Sequence, residues 1–148
     1  MMFPELSPAS KVWVYTANRL LTSEDKTEIA NAMAHFLPQW AAHGNSLFGN
    51  YSVEYDRFLI IVVDETQSNA SGCSIDTSVR FIKDLGKHLD VDFFNRMNMV
   101  IEENNTLSTV HISDLKKHPQ ATVFNPMVTN LKDLREIWKV KVVDSPFV

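Results

Sequence analysis

The stretch "FLIIVVDE" (Phe58 to Glu65) constrains the fold more than any other, because six consecutive apolar residues precede two acids. Successive side chains of a β-strand point to opposite faces of its sheet, so this run is apolar on both faces. Such a strand has to be covered on both sides, which is typical of the centre of a sheet. The preceding stretch "SLFGNYSVEYD" is also β-prone, and we predict a tight or a short bulged hairpin that turns at Asp56-Arg57.

Two segments show the spacing of amphipathic helices. In the first, Thr22 or Ser23 is a candidate N-cap, and apolar residues recur every three or four positions as far as Trp40. Pro38 lies inside that pattern, so this helix should kink or end there. The second run of helical spacing covers residues 79–89.

The second half of the chain contains another hairpin signal, with Asn104-Asn105 between two β-prone runs. A short strand "ATVF" and a last helix capped by Thr129 follow, while the order of the tail after Trp138 stays open. The predicted element order is β, α, β, β, α, β, β, β, α. We therefore predict one α+β domain over residues 1–148, with a mostly antiparallel sheet and helices packed on one face, and a loosely ordered segment at residues 1–10.

Composition limits the classes of partner. The 148 residues carry a formal net charge of −4, and no basic cluster exceeds Lys116-Lys117, so we expect no nucleic-acid partner. No apolar run is long enough to span a bilayer, the N-terminus does not read as a signal peptide, and the one cysteine suits a reducing compartment. We therefore expect a cytoplasmic protein without membrane insertion, whose oligomeric state, a homo-oligomer included, stays open.

An apolar strand ending in Asp64-Glu65 is also the second half of a nucleotide-hydrolase signature. The first half requires G-x-x-x-x-G-K-[ST], whose amides and lysine hold the phosphates. Here "GNSLFG" (Gly44 to Gly49) has the glycine spacing but continues with Asn50-Tyr51, and its central residues are β-prone. We therefore expect no nucleotide hydrolysis and no thermal shift with ATP.

The only cysteine lies in the Ser/Asn/Gly-rich loop that follows this strand, "NASGCSIDTSV". Cys73 is either a small apolar residue packed in a tight turn or an activated thiolate at a helix N-terminus. Asp76 is a good N-cap for a helix beginning at Thr77, and if Ser74 caps instead, Cys73 lies next to the positive end of the helix dipole. Arg80 is one residue too far from Cys73 for a phosphatase loop.

Four segments together resemble a family of small Bacteroidetes proteins whose members are often labelled ABC transporter ATPases: "VWVYTANR", "ASGCSIDTSVRFIKDL", "VDFFNR" and "FNPMVTNLKDL" leading to a tryptophan. The resemblance extends over nearly the whole chain, and SGCSID is its most specific part. It implies no catalytic residue. The phosphate-loop lysine is missing, and "ASGCS" follows the Asp-Glu strand where an ABC signature would precede it, so the sequence does not support the ATPase label.

These observations favour a binding or interaction module for a small ligand or a protein partner, with its site in the loop of residues 64–76. A buried strand ending in acids, a polar loop and a helix start converge there. The candidate ligand-binding residues are Ser71, Gly72, Ser74 and Asp76, with Asp64 and Glu65 behind them. The alternative is a thiol enzyme with Cys73 as its catalytic residue, which needs an exposed sulfur, a nearby His or Arg, and a pocket. The histidines show no metal-ligand spacing, so we expect neither a metal nor a cofactor.

Overall fold

A computed structural model describes residues 2–42, 44–65 and 70–148 of the chain. Its nine strands and three α-helices follow one another as β1 (Lys11–Thr16), α1 (Ser23–Gln39), β2 (Ala41–Ala42), β3 (Asn45–Ser46), β4 (Phe48–Glu54), β5 (Phe58–Asp64), α2 (Gly72–Leu89), β6 (Asn98–Glu103), β7 (Thr106–His111), β8 (Thr122–Phe124), α3 (Leu131–Glu136) and β9 (Lys139–Lys141). Two 3₁₀ helices, Ile112–Lys117 and Val142–Asp144, follow β7 and β9.

The strand β5 is the centre of the first sheet, as its sequence predicts. It pairs antiparallel with β1 on one side and with β4 on the other, and every residue from Phe58 to Val63 is buried. Its side chains alternate between two separate hydrophobic cores. Leu59, Ile61 and Val63 face the helices, and Phe58, Ile60 and Val62 face the opposite side.

The helices α1 and α2 cover the first of these faces. Ile29 and Met33 of α1 and Ile82 of α2 are fully buried against the odd-numbered side chains of β5. Helices on this face of an antiparallel sheet confirm the predicted α+β class.

A second antiparallel sheet covers the other face, with the strand order β7-β6-β8-β9. Val100 of β6, Phe124 of β8, Leu131 and Leu134 of α3, and Trp138 are buried against Phe58, Ile60 and Val62. The far face of this second sheet packs on the two 3₁₀ helices. Seven of the nine strands are thus divided between two stacked sheets, and β2 and β3 form a separate two-stranded antiparallel sheet. Hairpin signals do not reveal this partition, because each reports only a local pairing.

Several predicted boundaries are confirmed and others move by one residue. Thr22 caps α1 through its side chain, and Asn104-Asn105 form the β6–β7 turn with positive φ angles. The tail after Trp138, whose order the sequence left open, forms β9 and a 3₁₀ helix. The β4–β5 connection consists of Tyr55, Asp56 and Arg57, so it contains the predicted pair and begins one residue earlier, and Asn130 caps α3 where Thr129 was predicted.

The N-terminal segment, residues 2–10, lies against α3 and the second core. Met2, Phe3 and Leu6 pack on that core. Arg135 of α3 donates from Nε to the Met2 carbonyl (3.0 Å) and from Nη2 to the carbonyls of Phe3 (2.5 Å) and Leu6 (3.3 Å). The segment that the sequence predicts to be loosely ordered therefore has specific backbone contacts here.

The glycine-spaced segment from Gly44 to Gly49 runs through β3 and into β4. Gly44 itself has a φ of +78°, and the β-prone residues after it are extended as their sequence predicts. None of the helices in the described ranges combines the length and the apolar composition that crossing a bilayer requires.

Candidate functional site

Ser71 fixes the start of α2. Its hydroxyl accepts from the Ser74 N–H (3.1 Å), and the Ser74 hydroxyl accepts from the Ser71 N–H (2.7 Å), which together form a capping box. The Ser74 hydroxyl also donates to the Ser71 carbonyl (2.8 Å), and Ser74 is only 3% exposed. The side chains of both serines are therefore engaged in starting the helix.

The cap assignments made from the sequence are wrong. The helix begins at Gly72 and not at Thr77, so Asp76 lies inside it on the exposed surface, and Ser74 occupies its third position. Ser71 satisfies the orphan backbone donors one turn earlier than Asp76 could, and it does so reciprocally with Ser74. A polar run with several possible caps leaves this choice open in the sequence.

The two acids at the end of β5 serve the backbone and a neighbouring lysine. Glu65 accepts from the Ala70 N–H (2.7 Å) and forms an ion pair with Lys11 (3.5 Å). Asp64 accepts from the Ser7 N–H (3.4 Å). Both carboxylates therefore connect neighbouring segments of the chain. Residues 66–69 of the predicted site lie outside the described residues.

Cys73 is exposed, at the second position of α2. The interpretation of Cys73 as a packed apolar residue is therefore wrong, and the first requirement of the thiol-enzyme alternative is met. Neither of the two clefts described below includes Cys73 in its lining. Gly72 precedes it with open space around its α-carbon, so no close approach requires a glycine there. In the described part of the chain no group of His, Cys, Asp and Glu side chains could hold a metal ion.

A cleft of about 900 Å³ lies away from the loop of residues 64–76. We call it the Tyr55 cleft. Its walls are Met2 and Pro8 of the N-terminal segment, Glu54 and Tyr55 at the β4–β5 turn, and side chains between residues 132 and 139. Pockets for small molecules are typically about 300–1,000 Å³ with a few polar groups on an apolar lining. A shallower cleft of about 590 Å³ adjoins it between the N-terminal segment and β4, and both clefts are lined by Met2 and Glu54.

Tyr55 lies in an unusual backbone conformation for an aromatic residue. Its φ is +56° and that of Asp56 is +54°, at the first two positions of the three-residue connection between Glu54 and Phe58. Asn, Asp and Gly adopt such angles readily, whereas a bulky side chain there costs about 1–2 kcal/mol. The residue is nonetheless 42% exposed, and contacts of its ring with neighbouring aromatic side chains oppose that cost.

The Tyr55 ring is held by a cluster of aromatic side chains. Its centroid lies 5.1 Å from that of Phe124 and 6.0 Å from that of Trp138. Trp138 in turn packs edge-to-face on Phe58 and Phe124, with centroids 4.9 and 5.0 Å apart. The buried Trp138 Nε1 has no hydrogen-bond partner in the described part of the chain. Unfavourable features of this kind are characteristic of functional sites in proteins.

Three cations line the same cleft: Lys132, Arg135 and Lys139. The Lys139 ammonium lies over the Tyr55 ring, 4.9 Å from its centroid, and over Phe124 at 5.3 Å. Interaction with the Tyr55 side chain raises the pKa of Lys139, against the opposing effect of desolvation. Within the ranges that the structure describes, none of the three cations forms an ion pair.

The sequence reasoning missed these residues because the fold joins positions about 80 residues apart. One local signal was present: the turn between β4 and β5 carries Tyr55 where a hairpin turn prefers Asn or Gly.

Fold and cleft together define an α+β protein in which two antiparallel sheets stack and a small two-stranded sheet is added, with an open cleft lined by aromatic and cationic side chains. Comparison of the chain with protein-family models, with curated proteins and with solved structures finds no match. The family resemblance in the sequence therefore stays a prediction.

Proposed function

We propose that the protein is a binding module that takes up a small ligand in the Tyr55 cleft. The observation that carries this proposal is Tyr55 itself, a partly exposed aromatic residue in the left-handed backbone region at the wall of a cleft. Asn or Gly at this position would relieve the backbone strain. A residue that costs stability and presents its ring to a cleft is best explained by contact with a ligand.

The rigidity of the aromatic wall supports the same function. Tyr55, Phe124 and Trp138 contact one another edge-to-face or tilted, so the exposed ring is oriented before a ligand arrives. A preorganised surface loses little entropy on binding.

The loop of residues 64–76 is a weaker candidate for the ligand site. The hydroxyls of Ser71 and Ser74 bond to each other and to the backbone of α2, and Glu65 bonds to Ala70 and Lys11. A ligand bound there through these groups would have to compete with those bonds. The proposal retains a cytoplasmic address and involves no cofactor. It also involves no nucleic acid, in keeping with the net charge of −4.

Backbone amide NMR spectra recorded with a library of small aromatic fragments test this function. We expect fragments to shift the amide signals of residues 54–57 and 132–139 in a saturable way, while signals of residues 70–76 stay unchanged. A library that shifts no signal around the cleft at millimolar concentration would contradict the proposal. Shifts confined to residues 70–76 would return the site to the loop after β5.

A further inference from the structure

We infer that the ligand of the Tyr55 cleft is a small anion that carries a planar ring, a carboxylate or phosphate on an aromatic group. This inference rests on the proposed function and names the class of ligand for that site. The ring would contact the exposed part of Tyr55, and the anionic group would meet the lysines that line the cleft.

The distribution of charge favours an anion. Three cations line the cleft against two carboxylates, those of Glu54 and Glu136. The Glu54 carboxylate already accepts from the Ser52 hydroxyl at 2.5 Å. The ammonium groups of Lys132 and Lys139, in contrast, form no ion pair with a described carboxylate. An arriving anion would therefore find two ammonium groups without an ion-pair contact, of which Lys139 also experiences the more distant Glu102 carboxylate.

The position of Lys139 makes a cationic ligand unfavourable. Aromatic faces in binding sites commonly attract ammonium groups of ligands. Here the Lys139 ammonium already lies over the Tyr55 ring, at 4.9 Å from its centroid. A second cation at that face would meet repulsion from Lys139, whereas an anion would gain a charge-assisted hydrogen bond.

Arg135 completes the positive wall of the cleft with a fixed orientation. Its Nε and Nη2 donate to three carbonyls of the N-terminal segment, which hold the guanidinium in place without neutralising it. The positive charge therefore stays oriented at the border of the cleft, where it adds to the field of the two lysines.

Five matched probes separate the elements of this inference: benzoate, phenyl phosphate, benzamide, benzylammonium and inorganic phosphate. Titrations followed by amide NMR should show saturable shifts around the cleft for benzoate and phenyl phosphate. We expect benzamide to bind at least about fivefold more weakly, and benzylammonium and inorganic phosphate to produce no saturable shift there. Added salt should weaken the binding of the two aromatic anions and leave the binding of benzamide unchanged.

Lysine variants test the role of charge directly. Lys139→Gln and Lys132→Gln should each weaken the affinity for benzoate about five- to tenfold, while the affinity for benzamide stays unchanged. Lys141→Gln is the matched control, because Lys141 is an exposed lysine of the same strand as Lys139 and does not line the cleft. If benzamide or benzylammonium bound as tightly as benzoate, the inference that the ligand is an anion would be overturned, while the proposed binding function would stand. Equal binding of inorganic phosphate would overturn the planar ring, and no shift with any probe would overturn the proposed function as well.

Discussion

Replacement of Ser71 by alanine tests whether the serines of the loop after β5 start a helix or bind a ligand. The change removes the hydroxyl that accepts from the Ser74 N–H and leaves that helical donor without its partner. Loss of an N-cap of this kind costs about 1 kcal/mol. For a chain of this length 1 kcal/mol corresponds to about 3 °C in Tm, so we expect Ser71→Ala to melt about 3 °C lower.

Ser74→Ala should cost more, about 2 kcal/mol, because its buried hydroxyl both accepts from the Ser71 N–H and donates to the Ser71 carbonyl. Ser71→Asp keeps an oxygen acceptor and should retain most of the stability. Urea unfolding followed by circular dichroism measures all three variants, with the exposed Asp76→Asn as control. An unchanged stability for Ser71→Ala, or an equal loss for Asp76→Asn, would refute the assignment of the cap.

Three further predictions concern other parts of the chain. Arg19 donates to both carboxylate oxygens of Asp25 and to the Leu89 carbonyl. The hydrogen bonds from Arg19, together with those from Thr22, hold the pKa of Asp25 well below its usual value. The stabilisation is therefore present at neutral pH and lost as the pH falls below about 4. In urea unfolding, Asp25→Asn should be about 2 kcal/mol less stable than the natural protein at pH 7. It should lose less stability than the natural protein when the pH is lowered, and an equal loss in the two proteins would contradict this. Gly86→Ala should lose about 2–3 kcal/mol, although alanine normally favours helix, because its Cβ would lie 2.5 Å from the Val91 carbonyl oxygen. The control is Gly72→Ala, where nothing lies within 4 Å, and equal melting temperatures for the two glycine variants would count against the contact. Cys73 should react stoichiometrically with iodoacetamide in the folded protein, as judged by mass spectrometry, because its side chain is exposed; protection until unfolding would contradict that placement.

Features with strong local signals could be predicted from the sequence. The run of apolar residues from Phe58 to Val63 has one structural solution, a strand covered on both faces, and the fold provides it. The pair Asn104-Asn105 tolerates positive φ, and the hairpin turns at those residues. Thr22 and Asp25 have the spacing of a capping box, and α1 begins there.

Features that depend on choice among similar residues, or on distant pairings, could not be predicted. The stretch from Ser71 to Ser78 offers several hydroxyls and one carboxylate as caps, and only tertiary packing selects Ser71. One such contact is the Trp40 indole, which donates to the Ser74 carbonyl (2.8 Å) from the end of α1. The Tyr55 cleft requires the β4–β5 turn, α3 and the N-terminal segment to meet, and no sequence spacing encodes that meeting.

The most direct test of the central claim is a paired measurement on Tyr55→Asn: its free energy of unfolding and its affinity for benzoate. Relief of the left-handed strain should offset the lost ring contacts, so the variant should unfold within about 1 kcal/mol of the natural protein. Its benzoate shifts around the cleft should disappear, because the stacking surface is gone. Unchanged benzoate binding would contradict the account, and so would a loss of several kcal/mol in stability, which would make Tyr55 a packing residue of the second core.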